Sequence, residues 1–222
     1  MAQPLELVSD RSSRWRELRE AAEQAARDEP RLSSLMSATI LSHDDLAGAL
    51  SYQIARKLGD AELGPMSVRE VCAQAFAANP AIVTAAEADL QAVEERDPAI
   101  KSLLQPFLYF KGFQAIQAHR VSHWLWTQGR ETLAFHFQSR MSELFQVDIH
   151  PAAELGAGAK VLGNIAIGEY AKIASGSVVL KPVPAHCTAA GVPARLVNCP
   201  TGEQPARTMD HTLADVADDF VI

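Results

Sequence analysis

Residues 149–184 read IHPAAELGAGAKVLGNIA and then IGEYAKIASGSVVLKPVP, and this stretch decides the fold. Branched aliphatic residues recur in it at every sixth position: Ile149, Leu155, Val161, Ile167, Ile173 and Val179. An amphipathic helix would space such residues three or four positions apart, and a strand would space them two apart. A fixed period of six is instead typical of the hexapeptide repeat of a parallel β-helix.

Three hexads supply the three flat faces of one triangular coil, so eighteen residues make a coil, and the stretch predicts two coils, 149–166 and 167–184. The aliphatic residues point into the prism, where stacking buries apolar surface. Mostly small residues follow four positions later, at the corners: Ala153, Ala159, Ile165, Ala171, Ser177 and Val183. The alternative is a series of short strands in an ordinary sheet, but turns there recur less regularly, roughly every 8–12 residues.

Composition excludes several classes of protein. The chain has 222 residues, 48% of them hydrophobic and 21% charged, which is ordinary for a globular protein. A net charge of -7 without a basic run argues against nucleic-acid binding. We find no signal peptide and no apolar run long enough to cross a membrane. The cysteines, Cys72, Cys187 and Cys199, are odd in number and lack metal-binding spacing, which predicts no metal and a reduced, cytoplasmic protein.

The N-terminal part has helical periodicity after a loose start over residues 1–9. We expect Ser12 and Ser13 to cap the first helix. We expect Asp44 to cap a second helix, which carries the aliphatic repeat Leu46, Leu50, Ile54 and Leu58. Ser67 is expected to open a third helix through a capping box. The predicted fold class is α + β: an α-helical domain (1–145), a short left-handed parallel β-helix (146–198) and a flexible, polar tail (199–222). The left hand is implied by the family resemblance that the motifs below carry, and it is the exception to the right-handed rule for parallel crossovers.

Particular motifs resemble one family. They are LYFKGF (108–113), RDPA (96–99), HWLW (123–126), VDIHPAA (147–153), GAGAKVLGN (156–164) and AAGVPAR (189–195). In this order, around the hexads, they closely resemble bacterial serine acetyltransferase over nearly the whole chain. The hexads alone would indicate only the wider acyltransferase superfamily.

The resemblance implies transfer of an acetyl group from acetyl-CoA to the hydroxyl of L-serine, for cysteine biosynthesis, with acetyl-CoA as co-substrate and no permanently bound cofactor. A histidine base takes the hydroxyl proton, and carboxylates orient the base and hold the substrate. By position, Asp97 and Asp148 match the acidic residues of the family's substrate site. Ala159, Gly176 and Ser177 match the groove that holds CoA between neighbouring subunits.

One departure from the family stands out. Family members carry an Asp-His-Ala-Thr-Gly motif with the catalytic histidine, a Gly-Gly-Thr-Gly-Lys loop and an Asp-Arg-His-Pro-Lys motif, and this chain has none of them. Glu154 and Leu155 instead join the first coil directly to a late one, in phase. His150, two residues after Asp148, is the best candidate base, with His186 the next, although a turn histidine without a chemical role explains each of them better. We therefore expect little or no activity, because losing a general base costs roughly 10²–10⁴ in rate.

The resemblance also implies partners. Ile222 matches the C-terminal isoleucine through which the family binds cysteine synthase (O-acetylserine sulfhydrylase), so an inactive cysteine synthase-binding protein is the alternative function. Two coils are too few to be stable alone, which favours the homotrimer, or dimer of trimers, of the family. An acyltransferase for a sugar or an antibiotic is a third possibility, but the helical half resembles only the serine enzymes.

Overall fold

A computed structural model describes residues 5–96, 99–163 and 165–199, with the side chains of residues 5–13 and of Arg96 left aside. Two predicted site residues, Asp97 and Ile222, therefore lie outside the described residues. Within the described part, no helix is long and apolar enough to cross a lipid bilayer.

Eight α-helices form the N-terminal part of the described chain: α1 (Leu5–Asp28), α2 (Ser33–Met36), α3 (Leu46–Leu58), α4 (Pro65–Ala78), α5 (Ala81–Arg96), α6 (Leu104–Tyr109), α7 (Lys111–Thr127) and α8 (Glu131–Phe145). A 3₁₀ turn (Pro30–Leu32) and a π turn (Ser37–Leu41) flank α2. The leucines and isoleucine predicted to repeat along α3 are all buried. The helical prediction for this half of the chain is therefore confirmed.

Three predicted helix starts are wrong. The first helix begins at Leu5, so Ser12 and Ser13 lie inside it, where serine costs only a few tenths of a kcal/mol relative to alanine. Asp45, not Asp44, caps α3, because its carboxylate accepts the N–H of Gly48 at 2.8 Å. The fourth helix begins at Pro65, whose missing N–H costs nothing in the first turn.

The hexads form the predicted parallel coils. Strands β1 (Asp148–Ile149), β2 (Glu154–Leu155) and β3 (Lys160–Val161) pair in parallel with β4 (Ala166–Ile167), β5 (Lys172–Ile173) and β6 (Val178–Val179). Each residue pairs with the residue eighteen positions later, as Ile149 does with Ile167. The aliphatic positions are buried except Leu155, which is half-buried at the join. The eighteen-residue coil is thus confirmed.

The second coil is shorter than predicted. Ile167 pairs with Val183, sixteen residues on, so Val183 takes an inward aliphatic position instead of a corner. Val183 has the only N–H in Pro182–Pro184, and that N–H donates to the carbonyl of Ala166 at 3.0 Å. Because a proline cannot donate to a ladder, the two flanking prolines fix the pairing on Val183 and shorten the coil by two residues.

A hairpin closes the far end of the coils. Strand β7 (Thr188–Gly191) continues the sheet beside β5, and β8 (Ala194–Asn198) runs antiparallel to it. Thr188 pairs with Asn198, which brings Cys187 and Cys199 together in a disulfide. The prediction that all cysteines are reduced is therefore wrong, because the hairpin, not the sequence spacing, brings these two together. Cys72 stays a thiol, and burial raises its pKa.

The first coil packs against the helices through two histidines of α7. His119 Nε2 donates to the carbonyl of Ala153 at 3.0 Å, and His123 Nδ1 donates to that of Pro151 at 2.8 Å. His119 is fully buried, and its Nδ1 has no hydrogen-bond partner in the described part of the chain. Burial lowers the pKa of His119 to about 3, and the nearby charge of His123 adds to this effect. The imidazole is therefore neutral at pH 7.

Replacing Gly168 by alanine tests how closely the coils stack. A Cβ at Gly168 would lie 2.5 Å from the backbone nitrogen of Ala185 in the closing segment. Because backbone must shift to make room, we expect Gly168→Ala to lower the free energy of unfolding by about 1–3 kcal/mol. Urea unfolding at fixed protein concentration measures this. Gly64→Ser is the control, since nothing lies within 4 Å of its Cβ and serine is favoured at the N-cap position that Gly64 occupies; equal losses in both variants would contradict the prediction.

Acid should destabilise the protein through His119. Its pKa of about 3 in the folded state lies below about 6.5 in the unfolded chain. The unfolded state therefore binds the extra proton as the pH falls below 6.5, and the folded state loses stability, by about 2 kcal/mol at pH 5. In urea unfolding at pH 7 and pH 5, we expect His119→Gln to lose about 2 kcal/mol less than the parent chain.

The matched control for this pH effect is His186→Asn. His186 is exposed and has a φ of 60°, a conformation that asparagine tolerates. The free energy of unfolding of His186→Asn should equal that of the parent chain at both pH values. If the parent chain and His119→Gln lose the same free energy of unfolding between pH 7 and pH 5, another group causes the acid sensitivity.

Candidate active site

Asp148 is the one predicted acidic residue of the substrate site that lies within the described residues. It precedes the inward Ile149 on β1, so its side chain points out of the prism and is exposed. Its Oδ1 accepts a hydrogen bond of 2.6 Å from Nε2 of Gln138 on α8. The amide of Gln138 thus orients a carboxylate that remains open to solvent.

His150 lies at the first corner of the coil, where its ring is packed. The ring meets Trp126 and Phe135 edge to face, with centroids 5.3 and 5.6 Å away. Its Nδ1 accepts the backbone N–H of Ala152 at 3.1 Å. A neutral imidazole with Nδ1 as acceptor carries its proton on Nε2, so the nitrogen with the lone pair is turned to the backbone N–H of Ala152. The described contacts do not join His150 to Asp148.

The residues assigned to the CoA groove lie together. Ala159 and Ser177 are eighteen positions apart and occupy the same corner of successive coils, and Gly176 donates its N–H to the carbonyl of Ala157 at 2.9 Å. Ala159 and Ser177 are buried, and the hydroxyl of Ser177 accepts the N–H of Gly191 at 3.2 Å. Gly176 has a φ of 70°, which a glycine adopts without strain. The corner is therefore built from small residues whose polar groups are engaged.

A buried carboxylate on α5, Asp89, was not among the predicted residues. It is 4% exposed and forms a two-pronged ion pair with Arg120 of α7. Its Oδ2 also accepts Nε2 of Gln117 at 2.7 Å, and its Oδ1 accepts the N–H of Gly158 at 2.6 Å. One carboxylate thus connects two helices to the first coil. The signal for it in the sequence was an acid on the face of α5 that buries Ile82, Ala86 and Val93.

Two cavities flank this ion pair. One, of about 350 Å³, lies between α5, α7 and β3 and is lined on one side by Asp89. The other, of about 370 Å³, is lined by His119, Arg120, His123 and Glu154 among others. No group of three or more metal-binding side chains occurs among the residues that the structure describes.

Comparison with known proteins gives the family. A profile described as "Serine acetyltransferase, N-terminal" matches residues 14–118. The serine acetyltransferase of Escherichia coli K12 is 40% identical over 248 aligned positions, which cover 88% of this chain and 91% of the relative. The serine acetyltransferase of Haemophilus influenzae is 38% identical over 256 aligned positions, which cover 92% of this chain and 96% of the relative.

Solved structures agree with these matches. A serine acetyltransferase in complex with CoA is 40% identical, with a TM-score of 0.64, over 84% of this chain and all of that one. The structure of the Neisseria gonorrhoeae serine acetyltransferase is 38% identical, with a TM-score of 0.65, and the match covers 83% of this chain and 94% of that one.

The alignments are longer than the part of the chain they cover. For the E. coli relative, 88% of 222 residues is about 195, so about 53 of the 248 aligned positions hold a residue only in the relative. The match nevertheless extends through both halves of the protein. Its identity of 40% is well above the level at which two proteins share only a fold. The chain therefore belongs to the serine acetyltransferase family.

Proposed function

We propose that this chain transfers acetyl groups from acetyl-CoA to L-serine far more slowly than its relatives do. The observation that carries the proposal is 40% identity over 88% of the chain. Solved relatives are complexes with CoA and with serine. Asp148, oriented by Gln138, and the corner of Ala159, Gly176 and Ser177 are the parts of the site that this chain retains, with Asp97 outside the described residues.

The reduced rate follows from what the chain lacks. About 53 aligned positions without a residue here correspond to nearly three coils of eighteen residues. The parallel ladder continues in phase through Glu154 and Leu155, which pair with Lys172 and Ile173. Whole coils can be removed in this way without breaking the ladder, and we assign the loss to the coils that hold the family's histidine motifs.

The residues that remain do not replace the base. A serine hydroxyl is a weak nucleophile at neutral pH, and a base must take its proton as the oxygen attacks the thioester carbonyl. His150 has both ring nitrogens committed, one to the N–H of Ala152 and the other to its own proton. Asp148 can still orient the serine substrate, and the site can still bring serine and acetyl-CoA together. These two effects supply only part of the rate of the family.

The rate of thiol release from acetyl-CoA with L-serine tests this proposal. We expect a rate about 10²–10⁴ times lower than that of the H. influenzae relative under the same conditions, because general-base catalysis is absent. His150→Asn should change the remaining rate less than twofold. A rate within tenfold of the relative would show that a base is present, and a rate equal to that without enzyme would reject acetyl transfer for this chain.

Self-association fits the exposed faces of the coils. Leu162 and Leu180 directly follow β3 and β6 at the same position of successive coils, and both are exposed, as is Val197 of β8. Two coils bury too little apolar surface to stand alone. A homotrimer, or a dimer of trimers, would cover this stripe.

Docking to cysteine synthase through Ile222 is the second candidate function. The sequence DVADDFVI (215–222) combines acids with an aliphatic end, which suits capture of a terminal carboxylate in a pocket of backbone N–H groups. These residues lie outside the described part of the chain. Such docking needs none of the missing coils, so it would survive the loss of catalysis.

Deleting Ile222 tests the docking. We expect the deletion to weaken binding to cysteine synthase at least tenfold in a calorimetric titration, because both the side chain and the position of the carboxylate are lost. Met209→Ala, which lies before residues 215–222 in the chain, is the control and should bind like the parent chain. Equal affinity with and without Ile222 would reject this function, whatever the acetyltransferase assay shows.

A further inference from the structure

The cavity between the start of α5, α7 and β2 has walls of mixed chemistry. Its volume of about 370 Å³ lies in the range of small-molecule sites. His119 and His123 line it from α7, where residues four apart share one face of the helix, and Ile82 and Leu155 line it from α5 and β2. Neither Asp148 nor any residue of the corner assigned to CoA lines it.

Both histidines of this wall offer a lone pair. Each ring donates one N–H to a backbone carbonyl of the first coil, Nε2 of His119 to Ala153 and Nδ1 of His123 to Pro151. A neutral imidazole has a single N–H, so its second nitrogen is an acceptor. Nδ1 of His119 and Nε2 of His123 have no hydrogen-bond partner among the residues that the structure describes. The wall therefore lacks a hydrogen-bond donor.

The charged side chains of the lining leave one carboxylate for a ligand. The charge of Arg120 is balanced by Asp89 in the buried ion pair. Glu154 lies 3.3 Å from Lys172, but both side chains are more than half exposed, and an exposed pair of this kind holds its partners only weakly. The lining also contains an indole, that of Trp124, and aromatic rings attract cations.

These groups favour one class of ligand. Acceptor nitrogens, a carboxylate and an aromatic ring suit a cation that can donate N–H bonds. A metal ion would need at least a third ligand beside the two imidazoles, and the described residues form no such group. The net charge of -7 further favours the approach of a cation.

We propose that this cavity binds a small primary alkylammonium ion. The ammonium group donates to Nε2 of His123 and is attracted by Glu154, and the alkyl chain lies against Ile82 and Leu155. Among the six inward aliphatic residues of the coils, Leu155 alone is half-buried, so a ligand here covers apolar surface that the coil leaves open. This binding goes beyond acetyl transfer and does not depend on it.

Calorimetric titration of the full chain with primary alkylamines of two to eight carbons tests the proposal. At pH 8 an alkylamine carries a proton and an ordinary imidazole does not. We expect the affinity to rise about fourfold with each methylene until the alkyl chain outgrows the apolar wall. Hexanol and hexanoate should each bind at least tenfold more weakly than hexylammonium. Methyl resonances of Ile82 and Leu155 should shift on binding, whereas those of Ile40, which does not line the cavity, should not.

Two variants locate the ammonium group. In His123→Asn the side-chain amide takes the place of Nδ1 and can still donate to Pro151, but the acceptor Nε2 is lost. We expect this variant to bind hexylammonium about tenfold more weakly and hexanol unchanged. Glu154→Gln should weaken hexylammonium binding about three- to tenfold. Its matched control is Glu169→Gln, because Glu169 is exposed on the second coil and does not line the cavity.

Three results would overturn the proposal. Equal affinity of the parent chain, His123→Asn and Glu154→Gln would show that the ammonium group does not lie at these residues. Hexanoate that binds as tightly as hexylammonium would show that the cavity selects the alkyl chain and not the charge. Displacement of hexylammonium by L-serine or CoA would assign the cavity to the acetyl-transfer substrates. Thiol release measures acetyl transfer separately, so failure of either proposal leaves the other standing.

Discussion

The carboxylate of Asp89 is the contact on which the arrangement of the two halves depends. A carboxylate can accept about four hydrogen bonds, and Asp89 accepts four: two from Arg120, one from Gln117 and one from Gly158. Burying such a pair is costly, and only full hydrogen bonding offsets the cost. Separating α5 from α7 would leave two charges unpaired, and displacing the coil would remove the N–H of Gly158 from the carboxylate, so these bonds fix the three elements relative to one another.

This joint takes a single backbone donor from the coils. That donor is Gly158, which lies in the first coil shortly after Glu154 and Leu155. To this joint it contributes its backbone N–H, at a corner with a φ of 72°. Any coil with a glycine at this corner could offer the same donor. The contact between the halves therefore depends on the six-residue phase and not on which coil supplies it.

Much of the architecture could be predicted because it is local. The period of six fixes which residues point inward, and the eighteen-residue pairing of Ile149 with Ile167 follows from it. The shortened second coil could not be predicted, since it depends on which N–H pairs with Ala166, and only Val183 between its prolines can donate there. The disulfide of Cys187 with Cys199 likewise depends on a hairpin register that no spacing in the sequence reveals.

The site was harder to predict than the fold, for a reason that lies in the chemistry of histidine. Sequence position places His150 beside Asp148, but whether a histidine can act as a base depends on which ring nitrogen holds the proton, and that is set by its partners. The N–H of Ala152 commits Nδ1 of His150. The carbonyl of Ala153 commits Nε2 of His119, and burial keeps that ring neutral. In a solenoid each coil contacts only its neighbours, so the backbone ladder does not depend on which particular coils it contains. Fold and catalysis are then separable, because the ladder needs backbone pairing at any coil whereas proton transfer needs one particular nitrogen.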